Sequence, residues 1–359
     1  MQVAPPEKWV RIFKEKYNLF EVFTERLEDL LRDLLQNVDV VQIGSRTKTI
    51  DSFTGKIQRE GKNYNNPIEE ITDLVGIRII CYYLEDVDKV GEIIKEEFDI
   101  DFENSIDKSQ TIDPDKFGYL SVHYIISLGN NRNQLREWKE FDGIKAEIQI
   151  KTVLQHAWAA IDHKLRYKSA IEVPKDLRRK LFRLSALLEL ADEGFLELKN
   201  LTTNIEKYYA DEVRRGDLNV DIDLLSLEAY FKSTHIIDNF VKAAKKAGFD
   251  PIGADLIYKD FDKLSKNTTT LINALNILEI NKIKDFDYVL NNKIKNPYQI
   301  LHIYQEKSNK YNLSKKINPY TILLLLILYI FKEKLTDEKL KEMGFNEKAI
   351  EIIKDSIIS

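Results

Sequence analysis

The segment Lys145-Ala146-Glu147-Ile148-Gln149-Ile150-Lys151 alternates polar and apolar residues. Successive side chains of a β-strand point to opposite faces, so this pattern predicts a strand with Ala146, Ile148 and Ile150 on one face. The polar residues then form a row on the other face. In a sheet covered by helices, such a row indicates either a solvent face or the floor of a cleft.

The surrounding segments predict that this strand belongs to a mixed β-sheet. Leu74–Tyr83 is a compact apolar, β-branched run that indicates a buried strand, and Ser121–Leu128 is a further strand candidate. Helical spacing of apolar residues occurs in Val87–Phe98 and Thr152–Leu165. The resulting order of helices and strands is typical of an α/β (α+β) domain, with helices on the faces of a mixed sheet.

Three parts of the chain are expected. Residues 1–40 contain a long amphipathic helix that packs on residues 41–216, and these include a second long helix at 175–209. Beyond residue 216 Lys, Asn, Ile and Leu dominate and helical periodicity prevails, so residues 217–359 are predicted to form a mostly helical domain. The helices expected there are Asp223–Ala244, Pro319–Lys334 and a helical hairpin at Thr336–Ile357 around Gly344.

The composition is that of a folded, weakly acidic protein. With 43% hydrophobic and 31% charged residues the chain can bury a sizeable core. A formal net charge of -5 gives no global attraction to nucleic acid or membrane, so a polyanion site must be a local basic cluster. The single cysteine, Cys81, is expected to be a buried strand residue. No signal pattern and no apolar span of roughly 20 residues are found, which predicts a cytoplasmic protein without a membrane partner.

Two acidic residues are candidates for a metal site. Asp73 precedes the strand Leu74–Tyr83, and Glu147 lies on the polar row. Carboxylates from neighbouring strands can hold Mg²⁺, which takes few protein oxygens and keeps its other positions for water and substrate phosphates. A single Asp and Glu pair is a weak signal, so the surrounding residues have to support it.

Basic residues near these acids provide that support. Arginine offers a planar donor fork and a face that stacks on a base, whereas lysine is a point charge for phosphate. An arginine inside the apolar run GIRIICYY must be paired or functional, which applies to Arg78. Lys56 and Arg59 are equally well explained as a solvated helix face. The basic residues concerned are Arg46, Lys48, Lys56, Arg59 and Arg78.

The histidines and glycines exclude some other chemistries. His156 and His163 lie two helical turns apart, but no HExxH spacing or cysteine partner accompanies them, so a structural role is favoured over zinc. His123 follows Phe117-Gly118-Tyr119, where Tyr119 could offer a ring for a base to stack on. The chain has neither a GxxxxGK[ST] nor a GxGxxG motif, which disfavours P-loop and Rossmann chemistry.

In order and spacing, these segments resemble the synthetase domain of the RelA/SpoT-type alarmone synthetases over about residues 40–170. The resemblance implies a nucleotidyltransferase-like mixed sheet and a Mg²⁺-dependent reaction. That reaction transfers the β,γ-pyrophosphate of ATP to the ribose 3′-hydroxyl of GDP or GTP, making (p)ppGpp. The matching motifs are GSRTKTIDSFTGKIQR (44–59), ITDLVGIRII (71–80), FGYLSVH (117–123), AEIQIKT (146–152) and WAAIDHKLRYK (158–168).

The resemblance also implies roles for single residues. Asp73 and Glu147 are the metal carboxylates, and Glu147 helps to activate the 3′-hydroxyl. On the ATP side, the implied residues are Arg46 and Arg78, which sandwich the adenine, and Lys48 and Arg59, which bind phosphates. On the acceptor side they are Lys116, Tyr119, His123, Gln149, Lys151 and His156. Lys151 stands where arginine is common, and His156 where some small synthetases carry asparagine.

Other functions and partners remain open at this point. One alternative is a toxin-type synthetase that pyrophosphorylates the 3′ end of tRNA, and another is an inactive nucleotide- or RNA-binding module. The candidate tRNA track is Lys175, Arg178, Arg179, Lys180 and Arg183, although a solvated helix face is the favoured interpretation. Residues 217–359 are expected to be regulatory and to offer a site for a protein effector. The N-terminal and 175–209 helices could form a homo-oligomer, and periodicity alone does not separate this from packing within one chain.

Overall fold

The computed structural model describes residues 5–59, 61, 63–106, 121–167, 175–253, 265–309, 311 and 314–358. The chain forms two compact units, Met1–Lys199 and Asn200–Ser359. The division falls inside one helix, Lys175–Arg215, whereas the sequence places it after residue 216. The reason is that the end of this helix supplies Val213 to the core of the second unit.

The first unit is built on a five-stranded mixed sheet with strand order β1-β2-β5-β4-β3. β2 and β5 are parallel, and the other neighbouring pairs are antiparallel. The predicted α/β (α+β) class with a mixed sheet is therefore confirmed. The strands are β1 (Val40–Thr47), β2 (Val75–Cys81), β3 (Phe98–Ile100), β4 (Val122–Leu128) and β5 (Ala146–Thr152).

Helices cover the apolar face of this sheet. Two of them are α1 (Pro6–Leu34), which buries one face against β1 and β2, and α4 (Leu84–Glu97), which packs on β2 to β5. Proline is tolerated at the start of α1 because the first N–H groups of a helix have no intrahelical partner. The helices of this unit are α1 (Pro6–Leu34), α2 (Ile50–Ile57), α3 (Pro67–Glu70), α4 (Leu84–Glu97), α5 (Asn130–Asn133), α6 (Val153–Tyr167) and α7 (Lys175–Arg215), with a 3₁₀ turn at Lys139–Phe141.

The two faces of the sheet differ as the alternation in β5 predicts. Ile77 and Ile148 lie in the core between sheet and helices, and their exposed fractions are 1% and 0%. Burying one such side chain stabilises the fold by about 1.5–3 kcal/mol. The intervening residues, among them Arg78 and Glu147, lie on the opposite, polar face.

The second unit is helical around its own core, as predicted. Helix α13 (Pro319–Ile330) is buried on nearly all sides, which agrees with its uninterrupted apolar sequence. A two-residue parallel pair, β6 (Asp250–Pro251) and β7 (Lys316–Ile317), is its only described sheet. The helices are α8 (Leu224–Thr234), α9 (Ile237–Lys246), α10 (Ser265–Ile277), α11 (Ile283–Tyr288), α12 (Pro297–Asn309), α13 (Pro319–Ile330), α14 (Asp337–Glu342) and α15 (Glu347–Ile353), with π turns at Val289–Lys293 and Lys354–Ile358 and a 3₁₀ turn at Lys332–Lys334.

The expected single helix Asp223–Ala244 is wrong, because it is interrupted at His235. This residue adopts the left-handed conformation (φ 50°) that ends α8, and α9 then starts in a new direction. The hairpin at 336–357 is confirmed, with Gly344 at φ 94° between its two helices. Within the described residues, no helix is both long enough and apolar enough to cross a bilayer.

Candidate active site

The register of four strands places the polar side chains in two rows across the sheet. In the first row Gly44 pairs with Arg78, which lies beside Gln149, and Gln149 pairs with His123. In the second row Arg46 pairs with Gly76, which lies beside Glu147. Neighbouring strands are about 4.8 Å apart, so residues distant in the sequence become lateral neighbours here.

A cavity of about 210 Å³ opens on these rows. Its walls combine arginine, carboxylate, amide and imidazole groups on a backbone floor that contains two glycines. Arg46 and Arg78 are both exposed in this cavity, and neither forms an ion pair with any residue in the described part of the chain. The lining residues are Gln42, Gly44, Ser45, Arg46, Gly76, Ile77, Arg78, Ile80, Glu147, Gln149 and His156.

Asp73 lies between two lysines just before β2. Lys48 Nζ and Lys56 Nζ are each 2.8 Å from a different carboxylate oxygen of Asp73. Lys56 is positioned by α2, whose N-terminus is capped by the Thr49 side chain. Burial alone would raise the pKa of Asp73, but the hydrogen bonds from both lysines outweigh it and hold this pKa below its ordinary value. Asp73 is therefore an anion enclosed by positive charge.

Glu147 ends a chain of hydrogen bonds that begins at Ser121. His123 Nδ1 is 3.0 Å from Glu147 Oε1, and His123 Nε2 is 2.7 Å from Ser121 Oγ. An ionised carboxylate only accepts hydrogen bonds, so Nδ1 donates to Glu147, and the hydroxyl donates to Nε2 when the imidazole is neutral. Burial would raise the pKa of Glu147, but the contact with His123 lowers it overall.

The two carboxylates share one electrostatic environment. The charge of Asp73 acts to raise the pKa of Glu147, as a nearby like charge does. His156 lies close to two cations: burial, Arg78 and Lys151 all lower its pKa, which keeps the imidazole neutral at neutral pH. Lys151 Nζ in turn donates to Gln149 Oε1 at 3.1 Å.

The structure gathers most of the residues selected from the sequence, but not all. Arg46, Arg78, Glu147, Gln149 and His156 line one cavity. Arg59 is an exposed residue after α2 and does not line the cavity. Lys116 and Tyr119 lie outside the described residues, as do the side chains of Lys175 and Arg178 in the candidate tRNA track.

The remaining selected residues also have defined positions. Lys48 contacts Asp73, His123 contacts Glu147, and Lys151 contacts Gln149. In the candidate tRNA track, Arg179, Lys180 and Arg183 are exposed, as a solvated helix face requires.

Sequence reasoning missed Gln42, Ser121 and part of the role of Lys56. Gln42 is two residues before Gly44 and four before Arg46, so a period-2 pattern through β1 would have placed all three on one face. Ser121 stands two residues before His123 and could have been found in the same way. Lys56 could not be separated from a solvated helix face, because its contact with Asp73 joins two different elements.

Cys81 is a buried thiol, as predicted. Burial and the nearby Asp86 raise its pKa to about 12, so it carries no thiolate at neutral pH. A role as nucleophile or metal ligand is thereby disfavoured.

The lowered pKa of Asp73 predicts a pH-dependent contribution to stability. A carboxyl whose pKa is lower in the folded state stabilises the fold above its ordinary pKa, here 3.8, and this contribution is lost as the pH falls through the folded value. We expect the difference in Tm between the protein and Asp73→Asn to be constant above about pH 5 and to shrink as the pH falls below the ordinary pKa of 3.8. Thermal unfolding from neutral to acid pH measures it. A difference that grows on acidification would contradict the assignment.

Residues 45–172 match the family described as "Region found in RelA / SpoT proteins". The resemblance inferred from five motifs is thereby confirmed. GTP pyrophosphokinase YwaC of Bacillus subtilis (strain 168) is 34% identical over 157 residues, which are 43% of this chain and 71% of that protein. GTP pyrophosphokinase YjbM of the same organism is 27% identical over 160 residues, 44% of this chain and 71% of that protein.

Two solved structures are similar to about half of the chain. Small alarmone synthetase 1 from Bacillus subtilis aligns with a TM-score of 0.44 and 22% identity, over 55% of this chain and 99% of that one. Small alarmone synthetase 2 from Bacillus subtilis aligns with a TM-score of 0.44 and 29% identity, over 52% of this chain and 98% of that one.

Proposed function

The chain belongs to the RelA/SpoT family of pyrophosphokinases, and we propose that residues 41–216 transfer pyrophosphate from ATP to the ribose 3′-hydroxyl of GDP or GTP, making (p)ppGpp. One observation carries the proposal. Glu147 and two unpaired arginines of the described chain line a single cavity, and Asp73 is close enough to influence the pKa of Glu147. Such a site combines negative charge for a metal with cations for a nucleotide.

The residues at this site fit a magnesium ion. Asp73 and Glu147 are both held ionised, and Mg²⁺ is bound by one or two carboxylates together with substrate phosphates. Lys48 and Lys56 each contact a different oxygen of Asp73, and an ionised carboxylate has further lone pairs with which it could bind a cation. When bound, the metal would neutralise charge on the transferring phosphates.

The chain's own residues provide the rest of the chemistry. The 3′-oxygen of the acceptor attacks the β-phosphorus of ATP, the bond from that phosphorus to the α-phosphate oxygen breaks, and AMP leaves. Glu147 accepts the proton of the 3′-hydroxyl, and its hydrogen bond to His123 holds the carboxylate in place. Arg46 and Arg78 present planar faces to the ATP base. Catalysis is then mainly positioning and charge neutralisation.

A transfer assay tests the reaction and its alternatives. The protein is incubated with labelled ATP and Mg²⁺ and, in separate reactions, with GDP, GTP or deacylated tRNA. We expect the label to appear on the guanine nucleotide. Label on tRNA alone would overturn the proposed acceptor in favour of the toxin-type reaction, and no transfer to any acceptor would favour an inactive binding module.

The exposed face of α7 supports self-association. Exposed apolar side chains recur there, several of them three residues apart, as in helices that pair along an apolar seam. Members of this set within the first unit are Leu184 (52% exposed), Leu187 (61%), Leu190 (63%) and Leu198 (60%). Contiguous exposed apolar surface of this kind usually marks an interface. We propose that a second copy of the chain covers it.

Sedimentation velocity tests this interface. Because charge in an apolar seam is costly to bury, Leu187→Glu with Leu198→Glu is expected to convert oligomers into monomers. Glu189→Gln on an exposed position of the same helix is the matched control and should leave the oligomer intact. A monomeric parent protein would refute the proposal.

We further propose that residues 217–359 regulate the catalytic part. They lie in a unit with its own core, and among the described residues this unit contributes none of the cavity lining. Regulation of this kind implies a partner, and we propose a protein effector that binds this unit. Selective destabilisation of its core in the intact chain is the appropriate test, and Phe286 is a suitable position for it.

A further inference from the structure

Two glycines and two arginines alternate on the cavity floor. Gly44 and Arg46 lie on β1, Gly76 and Arg78 lie on β2, and the antiparallel register pairs Gly44 with Arg78 and Arg46 with Gly76. All four residues line the cavity. Each arginine therefore has a glycine opposite it, and the two arginines occupy one diagonal of a square of four residues.

The diagonal has the length that a stacked base requires. Residues offset by two positions on neighbouring antiparallel strands are about 7–8 Å apart. A flat ring in van der Waals contact with a group on each side needs about 3.5 Å per contact, hence about 7 Å in total. The missing side chain at Gly44 keeps part of this space open, whereas the Arg46 side chain itself lies against Gly76.

The space above Gly44 is open except for one side chain. A Cβ atom built on Gly44 would have Gln42 Nε2 as its nearest neighbour, at 3.8 Å. The Gln42 side chain therefore leans over the glycine floor. Its amide makes no hydrogen bond to other described residues and remains available to a ligand. At Gly76 the space is tighter, because a Cβ would lie 3.4 Å from Arg46 Nε.

The orientation of the nucleotide follows from the charges at the ends of this floor. Lys48, Lys56 and Asp73 lie beyond the Arg46 end of β1, and this is where phosphates and metal would be bound. Gln42 lies at the opposite end, paired with Ile80 of β2. When the phosphates point to the lysines, the edge of the base remote from the ribose points to Gln42.

We propose that the ATP base lies on the open floor at Gly44 and that the Gln42 side-chain amide binds its amino-bearing edge. This inference rests on the proposed function for the placement of ATP in this cavity. A glutamine amide both donates and accepts, so it can pair with the 6-amino group and an adjacent ring nitrogen of adenine. Gln42 is thus a specificity-determining residue for the donor nucleotide.

Isothermal titration calorimetry tests whether the base lies over Gly44. It measures the dissociation constant for ATP in the presence of Mg²⁺. Gly44→Ala adds a methyl group where the fold has room, so Tm should be unchanged, but the methyl occupies the base slot. We expect ATP binding to weaken at least about fivefold. Gly55→Ala on α2, where a Cβ meets no atom within 4 Å, is the matched control and should bind ATP as the parent does. Unaltered ATP binding by Gly44→Ala would contradict the placement of the base over Gly44.

Two nucleotides that differ in the 6-amino group test whether the Gln42 amide recognises the base. Gln42→Leu keeps a similar volume but removes both amide groups, so ATP binding should weaken at least about fivefold. Purine riboside triphosphate lacks the 6-amino group, so the same substitution should weaken its binding less. Gln36→Leu after α1 is the control. An equal loss for both nucleotides, or no loss for ATP, would refute the role of Gln42.

The proposed reaction and this inference fail in different ways. Calorimetry reports ATP binding whether or not transfer occurs, so an inactive protein that binds ATP still tests Gly44 and Gln42. A protein that transfers pyrophosphate but binds ATP equally well with and without Gln42 contradicts the inference alone. A parent protein that binds no ATP contradicts both.

Discussion

Glu147→Gln is expected to lower the rate of pyrophosphate transfer about 1,000-fold or more while leaving Tm unchanged. Glutamine has the same shape, and its carbonyl oxygen can still accept the hydrogen bond from His123 Nδ1. What it lacks is the negative charge that holds Mg²⁺ and the basicity that takes up a proton from the 3′-hydroxyl. Loss of a general base alone costs about 10²–10⁴-fold in rate.

A carboxylate away from the cavity provides the control. Glu92→Gln on α4 neutralises a side chain that is 68% exposed and pairs only with Lys95 in the contacts described. Transfer by this variant should equal that of the parent protein, since exposed pairs of this kind contribute little. Asp73→Asn should lower the transfer rate as Glu147→Gln does, although it also lowers Tm because it removes the charge between Lys48 and Lys56. Full activity in either active-site variant would refute the metal assignment.

Phe286→Ala is expected to destabilise the second unit by about 3–5 kcal/mol. The Phe286 side chain is fully buried and lies within 6.0 Å and 6.1 Å, centroid to centroid, of the rings of Tyr230 and Phe231. Removing its ring leaves a cavity that the surrounding helices can close only in part. Differential scanning calorimetry should show the transition of this unit at a temperature roughly 10 °C lower.

Tyr288→Ala is the matched control, because this aromatic residue lies on the same helix α11 but is 57% exposed. Its Tm should stay close to that of the parent. The pair also tests regulation by residues 217–359. We expect the rate of transfer to differ between Phe286→Ala and Tyr288→Ala at a temperature where only the former has lost this unit. Equal rates would contradict the regulatory proposal.

The catalytic half of the fold could be predicted to a large extent because its signals are local. The alternation from Lys145 to Lys151 assigned residues 146–150 of β5 to the correct face, and the apolar run Leu74–Tyr83 identified β2. Five motifs in a fixed order then identified the family. The helix break at His235 could not be predicted, since a left-handed histidine leaves no signal in an apolar periodicity.

Contacts between elements required the structure. Lys56 and Asp73 are 17 residues apart, and His123 and Glu147 are 24 apart. Residues this distant meet only through the register of the sheet and the placement of α2. For the same reason Gln42 had no visible role until β1 was paired with β2, and the end of α7 could not be assigned to the second core.

The sequence by itself determined the mixed α/β class, the family, the polar face of β5, and five of the residues that line the cavity. These depend on side-chain periodicity and motif order, which a linear chain already contains. Only the tertiary structure decided that glycines alternate with arginines, that two lysines enclose Asp73, and that His123 orients Glu147. Those are distances between separate strands and helices, and strand pairing and packing set them.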